Sequence, residues 1–308
     1  MDQRIVESSS IIHYTACPLC NSKDIYFVFK AQDYLVSNET FPVWQCKNCT
    51  LRFTQDVPRE GSIGKYYQSE AYVSHSNSNR GIINSVYQRV RKYTLQIKSQ
   101  QVKTLTGKEQ GALLDMGCGT GEFLHVMKED GWETLGLEPD QKARSFAKSK
   151  HNLLVESPDK LKEISSEYFD AVTLWHVLEH IHDLHEVMVE FHRILAPEGI
   201  LFIAVPNYLS KDAAIYQANW AAYDVPRHLY HFSPQAMQVL LDTHNFELLR
   251  IKSMPFDAFY VSLLSEKYIH NANRVISGSW EGFRSWMNAR GRSEQSSSVL
   301  YICKRKDT

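Results

Sequence analysis

Net charge, cysteine and long apolar runs are all scarce in these 308 residues. Lys and Arg number 34 against 35 Asp and Glu, leaving −1 at pH 7, so no overall field draws the chain to nucleic acid or membrane. Six cysteines are too few for a disulfide scaffold. The longest unbroken apolar run, Ile200–Val205, falls far short of the ~18 residues a membrane span needs. The N-terminal stretch MDQRIVESSSIIHYT lacks the apolar segment of a signal peptide. These absences predict a cytoplasmic protein with reduced thiols, no membrane partner and no nucleic acid. Internal repeats are lacking too. What is present is globular composition, 43% hydrophobic and 22% charged, enough for one large domain and a small appendage.

Residues 1–60 read as short strands and turns (DIYFVFK, PVWQC, LRFTQ). Ser, Gly and Asn punctuate 61–81, which carries three tyrosines. From Ile82 to Leu105 apolar residues recur at helical spacing, and Arg80–Lys108 holds seven Lys or Arg and no acid. This is read as the solvated face of an amphipathic helix, with a cover over an anionic substrate as the functional alternative. From Gly111 the rhythm becomes strand, turn, helix. GALLDM, WETLGLE, NLLVE, FDAVTLW and GILFIAVP alternate with helical segments, Pro197-Glu198-Gly199 marking a helix stop. Such alternation predicts a parallel sheet covered on both faces. After 206–232 follow a helix, the strand FELLRIKS, a helical stretch over 257–290 and a last strand, SSSVLYICKRK.

Four of the six cysteines form two CxxC turns, Cys17-Pro-Leu-Cys20 and Cys46-Lys-Asn-Cys49. Each turn lets two thiolates reach one cation, and two turns complete a tetrahedral zinc shell. A small segment with few core residues gains folding energy from such a metal. A redox CxxC would need a neighbouring βαβ pattern, which is missing. Residues 1–60 carry six basic and seven acidic side chains, no electrostatic footprint for nucleic acid.

Asp115-Met-Gly117-Cys-Gly119-Thr-Gly121 lies between a strand and a helix. A dinucleotide fingerprint needs glycine where Glu122 stands, and no GK[ST] follows, so neither NAD nor a P-loop nucleotide fits. Acids at the strand end and helix start repel a pyrophosphate and attract an ammonium group. Glu138, closing the second strand, is placed to accept both hydroxyls of a ribose. A cationic amino acid joined to adenosine, S-adenosylmethionine, fits these charges.

LLDMGCGTGEF, LGLEPD and FDAVTLWHVLEHIHD, in that order, resemble the cofactor motifs of class I methyltransferases, especially the small-molecule branch that includes ubiquinone-biosynthesis O-methyltransferases. The resemblance covers about 111–206. It implies that Gly117, Gly119 and Gly121 approach the methionine end of S-adenosylmethionine, with Asp115 supporting the loop. It further implies that Glu138 takes the ribose, that Pro139 packs near the adenine, and that Trp175 and His176 line the cofactor's open side. His176-Val-Leu-Glu179-His180 also spells HxxEH, a zinc-protease pattern, but is read as the loop and helix start after a buried strand. His182, His185 and His192 are read as solvated helix residues.

Between Asn219 and Pro234, two histidines, two tyrosines and an arginine gather in an irregular loop at the C-terminal edge of the sheet, where open α/β sheets bind ligands. Tyr223 and His231 are expected on a substrate-facing wall, with Ser233 as an N-cap. The N-terminal cysteines and the run Arg227-His228-Leu-Tyr230-His231-Phe-Ser233 together resemble zinc-bearing sugar C-methyltransferases, whose His-Glu-His-Leu-Ser-Tyr-Phe-Ser run supplies a base from its second histidine. Carried over, that base is His228. Arg227 departs from the pattern by replacing the glutamate, and the C-terminal domain of those enzymes is missing.

The expected fold is α/β: a small zinc ribbon (1–60), a helical connector or lid (61–108), and a class I domain (109–308). That domain carries a seven-stranded Rossmann-like sheet of order 3-2-1-4-5-7-6, its seventh strand antiparallel. The expected reaction is methyl transfer from S-adenosylmethionine to an oxygen or carbon of a small molecule, such as a sugar or another secondary-metabolite or cell-surface precursor. An RNA methyltransferase gripping through the ribbon and the basic stretch, and a non-catalytic cofactor-binding protein, are the alternatives. The sequence is silent on oligomeric state.

Overall fold

The computed structural model describes residues 10–68 and 82–306, with side chains in the second span from residue 90 onward. Tyr72, Arg80 and the Arg89 side chain, all part of the expected connector, lie outside the described residues, as do residues 1–9.

The N-terminal module is built from β1 (Ile11–Ile12), β2 (Ile25–Gln32), β3 (Thr40–Cys46), β4 (Arg52–Thr54) and β5 (Val57–Pro58). After helix α1 (Ile82–Thr106), strands alternate with helices: β6 (Ala112–Met116), α2 (Glu122–Glu129), β7 (Glu133–Leu137), α3 (Gln141–His151), β8 (Val155–Glu156), β9 (Phe169–Trp175), α4 (Leu184–Ile194) and β10 (Leu195–Pro206). Then come α5 (Lys211–Tyr216), β11 (Tyr230–His231), α6 (Pro234–Thr243), β12 (Phe246–Ser253), α7 (Asp257–His270), α8 (Val275–Ala289) and β13 (Ser298–Arg305).

The large sheet runs β12-β13-β10-β9-β6-β7-β8. Numbered from β6, that is the expected 3-2-1-4-5-7-6 order, and β13 pairs antiparallel with both β10 and β12. Leu201, Phe202, Ile203, Ala204 and Val205 are all fully buried, because helices cover both faces of the central strands. In α4, Leu184, Val187, Met188, Phe191 and Ile194 turn inward at helical spacing. Two local expectations differ. Helix α4 ends at Ile194, ahead of Pro197-Glu198-Gly199, which instead sits inside β10 where its register against β9 shifts between Leu195 and Ile200. Proline donates no ladder bond and fits such an irregularity. Of NLLVE, only Val155–Glu156 pairs.

The N-terminal module does not keep a core to itself. Its sheet β2-β3-β4 gains β11 from the far end of the chain as a fourth strand, antiparallel to β4. Val43, Leu51 and Phe53 belong to the same apolar cluster as Leu201, Leu229 and Phe232. Two histidines expected in solvent bind this module instead: His182 Nε2 bonds Pro58 O at 3.0 Å and His185 Nε2 bonds Pro18 O at 3.1 Å. His192 has a buried, unpartnered Nε2. Three cations of the basic stretch are engaged within the chain. Arg91 pairs with Glu122 at 2.9 Å, Lys103 with Asp130 at 2.8 Å and Lys108 with Asp170 at 2.5 Å, which clamps α1 onto the sheet domain.

Candidate active site

The turn after β6 is shaped by three left-handed glycines, Gly117 (φ 66°), Gly119 (φ 56°) and Gly121 (φ 83°), a conformation that costs other residues about 1 kcal/mol or more. They differ in what surrounds them. A Cβ on Gly117 would lie 2.4 Å from Val177 Cγ2, and one on Gly121 would lie 2.6 Å from Leu153 Cδ1. A Cβ on Gly119 would meet nothing within 4 Å. Two glycines let protein pack against the turn, and the middle one leaves its backbone open to a ligand.

Glu138, just past β7, faces this opening. Its Oε2 accepts from Gly119 N–H and its Oε1 from Asp140 N–H, both at 2.9 Å. Each oxygen keeps a lone pair for a further donor. Burial raises its carboxyl above the ordinary value, against these backbone bonds. Pro139 is exposed beside it, its carbonyl accepting from Arg144 at 2.8 Å. Asp115 lies beneath the turn and accepts from Thr173 Oγ1 at 2.6 Å. Burial raises its carboxyl to about 7, while the Thr173 bond and the Lys98 ammonium favour the charged form.

Trp175 ends β9 with its ring edge-to-face on Phe123 at 5.5 Å and a buried, unpartnered Nε1. Lys98, from α1, holds its Nζ 4.2 Å from the centre of that ring. His176 takes a left-handed φ of 60° and turns to Asp257, at 2.9 Å from Nε2, with Glu179 at 3.6 Å from Nδ1. Burial alone lowers an imidazole, but here the two carboxylates outweigh it and raise His176 to about 10. The segment therefore forms a short 3-10 turn over Leu178–His180, and its two histidines do not share a helix face as HxxEH would require.

The 217–233 loop contributes the next group. His228 is 8% exposed, and its Nδ1 bonds Ala222 O at 2.9 Å. A carbonyl only accepts, so Nδ1 carries a hydrogen, and Nε2 lies 4.0 Å from Asp224 Oδ2. His228 stands edge-to-face to His180 at 4.5 Å, and Leu229 N–H donates to Glu179 O at 2.8 Å. Glu179, His180 and His228 bring their side-chain ligand atoms within 4.8 Å of one another, and both Glu179 oxygens are buried without a hydrogen-bond partner among the described residues. Burial, then the neighbouring His228, lowers His180 to about 4. The structure thus draws His228 to the segment that carries Trp175 and His176.

Tyr223 and His231 contact the N-terminal module. Tyr223 OH accepts from Arg52 at 2.7 Å, and His231 Nε2 lies 3.1 Å from Thr54 Oγ1. Both are packed against the N-terminal module, and burial holds His231 well below its ordinary value, helped by His228 and Arg52. Arg227, where the sugar-enzyme pattern has glutamate, is fully buried. It donates to Asp33 at 2.8 Å, to Asp224 at 2.7 Å and to Tyr66 O at 2.7 Å. The four cysteines converge as expected: Cys17 and Cys49 sulfurs lie 3.5 Å apart, as do Cys20 and Cys46, and all four lie within 4.8 Å. Sulfurs ~2.3 Å from one tetrahedral ion stand about 3.8 Å apart, so the donor set fits zinc. The sequence alone does not single out Lys98, Asp257 and Glu179: Lys98 lies in the basic stretch, Glu179 inside the HxxEH run, and Asp257 follows no motif.

A seven-stranded sheet of this order, with a glycine turn after the first strand and an acid after the second, defines a class I methyltransferase architecture. Residues 87–251 match the methyltransferase domain family, more than half of the chain, and the chain belongs to that family. Similar curated proteins include the ubiquinone biosynthesis O-methyltransferase of Pelagibacter ubique (strain HTCC1062), 29% identical over 160 residues covering 44% of this chain and 66% of that one. The mitochondrial ubiquinone biosynthesis O-methyltransferase of Homo sapiens is 26% identical over 185 residues, 53% of this chain and 50% of that one. The chain therefore spans half to just under two thirds of these relatives' length. A solved structure from Galdieria sulphuraria shares the fold. It has a TM-score of 0.50 and 15% identity, over 71% of this chain and 88% of that one.

Proposed function

We propose that the chain binds S-adenosylmethionine across the glycine turn and transfers its methyl group to an oxygen or carbon of a small-molecule acceptor. The observation that carries this reading is the open approach at Gly119 beside the half-satisfied Glu138 carboxylate. When bound, the cofactor supplies an electrophilic methyl group on a sulfonium. The protein's part is to align the acceptor, exclude water and accept a proton. Glu138 holds the ribose hydroxyls, Gly117, Gly119 and Gly121 admit the methionine end, and Asp115 fixes the turn. Trp175 and His176 wall the open side, and Pro139 flanks the adenine. His228 is the base: its Nδ1–H is pinned on Ala222 O, which leaves the Nε2 lone pair to take the acceptor's proton. Tyr223 and His231 act on the acceptor by holding the loop that carries His228. The relatives' names favour oxygen as the acceptor atom, and a sugar or other secondary-metabolite or cell-surface precursor is the wider class. Cys17, Cys20, Cys46 and Cys49 hold a structural zinc ion, a closed site with no open position for chemistry.

The test is to incubate the protein with methyl-labelled S-adenosylmethionine and a cell extract, then identify the labelled product. A labelled small molecule is expected. Label confined to RNA, or cofactor binding without any transfer, would contradict the reading.

A further inference from the structure

Helices α7 and α8 form a hairpin inserted between β12 and β13, and α8 is built inside out. Its narrow side packs on α7 through Gly278 and Gly282, and Ser285 on the same buried side donates to Asp212 of α5 at 2.6 Å. A Cβ on Gly278 would lie 2.8 Å from Leu263 Cα, and one on Gly282 would lie 2.7 Å from Phe259 Cα. The large apolar side chains point the other way. Ile276 is 89% exposed and Trp280 59% exposed, with Phe283 and Met287 continuing the same stripe at helical spacing. A helix of a water-soluble domain turns such residues inward. Small residues toward the helix partner and large ones outward is the packing used where the surroundings are lipid.

Charge selects the occupant. The hairpin and the turn after it present Lys267, Arg274, Arg284, Arg290 and Arg292 against Glu281 and Glu294, with Asp257 turned to His176 and Glu266 buried; Glu281 is itself paired with Arg284 at 3.0 Å. Arg290 stacks over Trp286 at 5.5 Å, and Arg274 lines a shallow groove with Val275, Ile276 and Trp280. A two-fold pairing of this face with a second copy would set like charges against each other. Anionic lipid headgroups would meet the cations while the stripe enters the acyl boundary.

We propose that the α7–α8 hairpin seats the protein on an anionic membrane surface. No described helix is long and apolar enough to cross a membrane, and lying on one is a different geometry that needs only this face. Helix α7 begins at Asp257, the partner of His176, so the docked face belongs to the element that closes the candidate site.

Flotation of the full chain tests this, using vesicles of phosphatidylcholine with and without about 30% phosphatidylglycerol. The chain is expected to float with the anionic vesicles only. Ile276→Ser combined with Trp280→Ser should cut the bound fraction about tenfold or more, with an unchanged melting curve. Ile276→Glu alone, at the most exposed position, should act in the same direction. Arg290→Gln with Arg292→Gln should weaken binding and reduce its salt dependence. A wild-type chain that stays unbound would overturn the proposal, as would one that floats equally well after these substitutions. So would a dimer that the same substitutions dissolve.

Discussion

Gly119 and Glu138, which meet across 19 residues of chain, make one half of the candidate site; Arg227, bonded to Asp33 across 194 residues, secures the other. Both halves lie along the C-terminal edge of one sheet. The cofactor half is a contiguous strand, turn and helix whose glycines and acid do their work through local backbone geometry. The acceptor half is a loop with little regular structure, held from behind by β4 and by the residues around Asp33. The first can form as soon as β6, α2 and β7 assemble. The second has its shape only when the N-terminal module is in place. Cofactor binding and acceptor chemistry should therefore respond differently to damage in that module.

The largest separation of the two halves is expected from loss of the proposed zinc. Cys17→Ser with Cys46→Ser should reduce zinc from about one ion per chain to almost none, since structural zinc contributes on the order of 10 kcal/mol of binding free energy to such modules. Hydrogen exchange should rise along β4 and β11 while β6 and β9 remain protected. Protection lost equally in all four strands would merge the two halves into a single unit. The buried ion pair comes next. Arg227→Met leaves Asp33 and Asp224 buried without their cation, and denaturant unfolding should show a loss of about 3–5 kcal/mol. Restoring part of that loss with Asp33→Asn would confirm that the carboxylate is the burden.

On the cofactor side, Glu138→Ala should weaken S-adenosylmethionine binding by about 1.5–3 kcal/mol, as charge-assisted bonds to the ribose disappear. Unchanged affinity by calorimetry would remove Glu138 from the ribose site. The remaining effect is a pH dependence. His176 is raised to about 10 by Asp257 and Glu179, so the stability it contributes is fully present below its unfolded value near 6.5 and is lost as pH rises through about 10. Asp257→Asn should flatten the wild-type decline across that window, as followed by denaturant midpoints.

The cofactor half was legible in the sequence because its determinants are local: three glycines, an acid seventeen residues beyond the last of them, and apolar runs of strand length. The sheet order followed from the resemblance to class I methyltransferases, and the convergence of the four cysteines from their spacing. What the sequence did not convey is contact at long range. His182 and His185 look like surface residues of a helix until Pro58 and Pro18 arrive from the N-terminal module. No local pattern announces that Arg52 and Thr54 stand against Tyr223 and His231. Lys98 lay in a basic stretch, but only the docking of α1 brings it over Trp175. Asp257 stands alone in the sequence and gains meaning only from His176.

The central claim is that the 217–233 loop performs the proton transfer on an acceptor presented to the cofactor half. Steady-state methyl transfer and S-adenosylmethionine affinity measured together on His228→Ala test it most directly. Cofactor affinity within about twofold of wild type and kcat lower by ~10²–10⁴ are expected. A raised KM for the acceptor with kcat nearly unchanged, the mark of lost uniform binding, would contradict it.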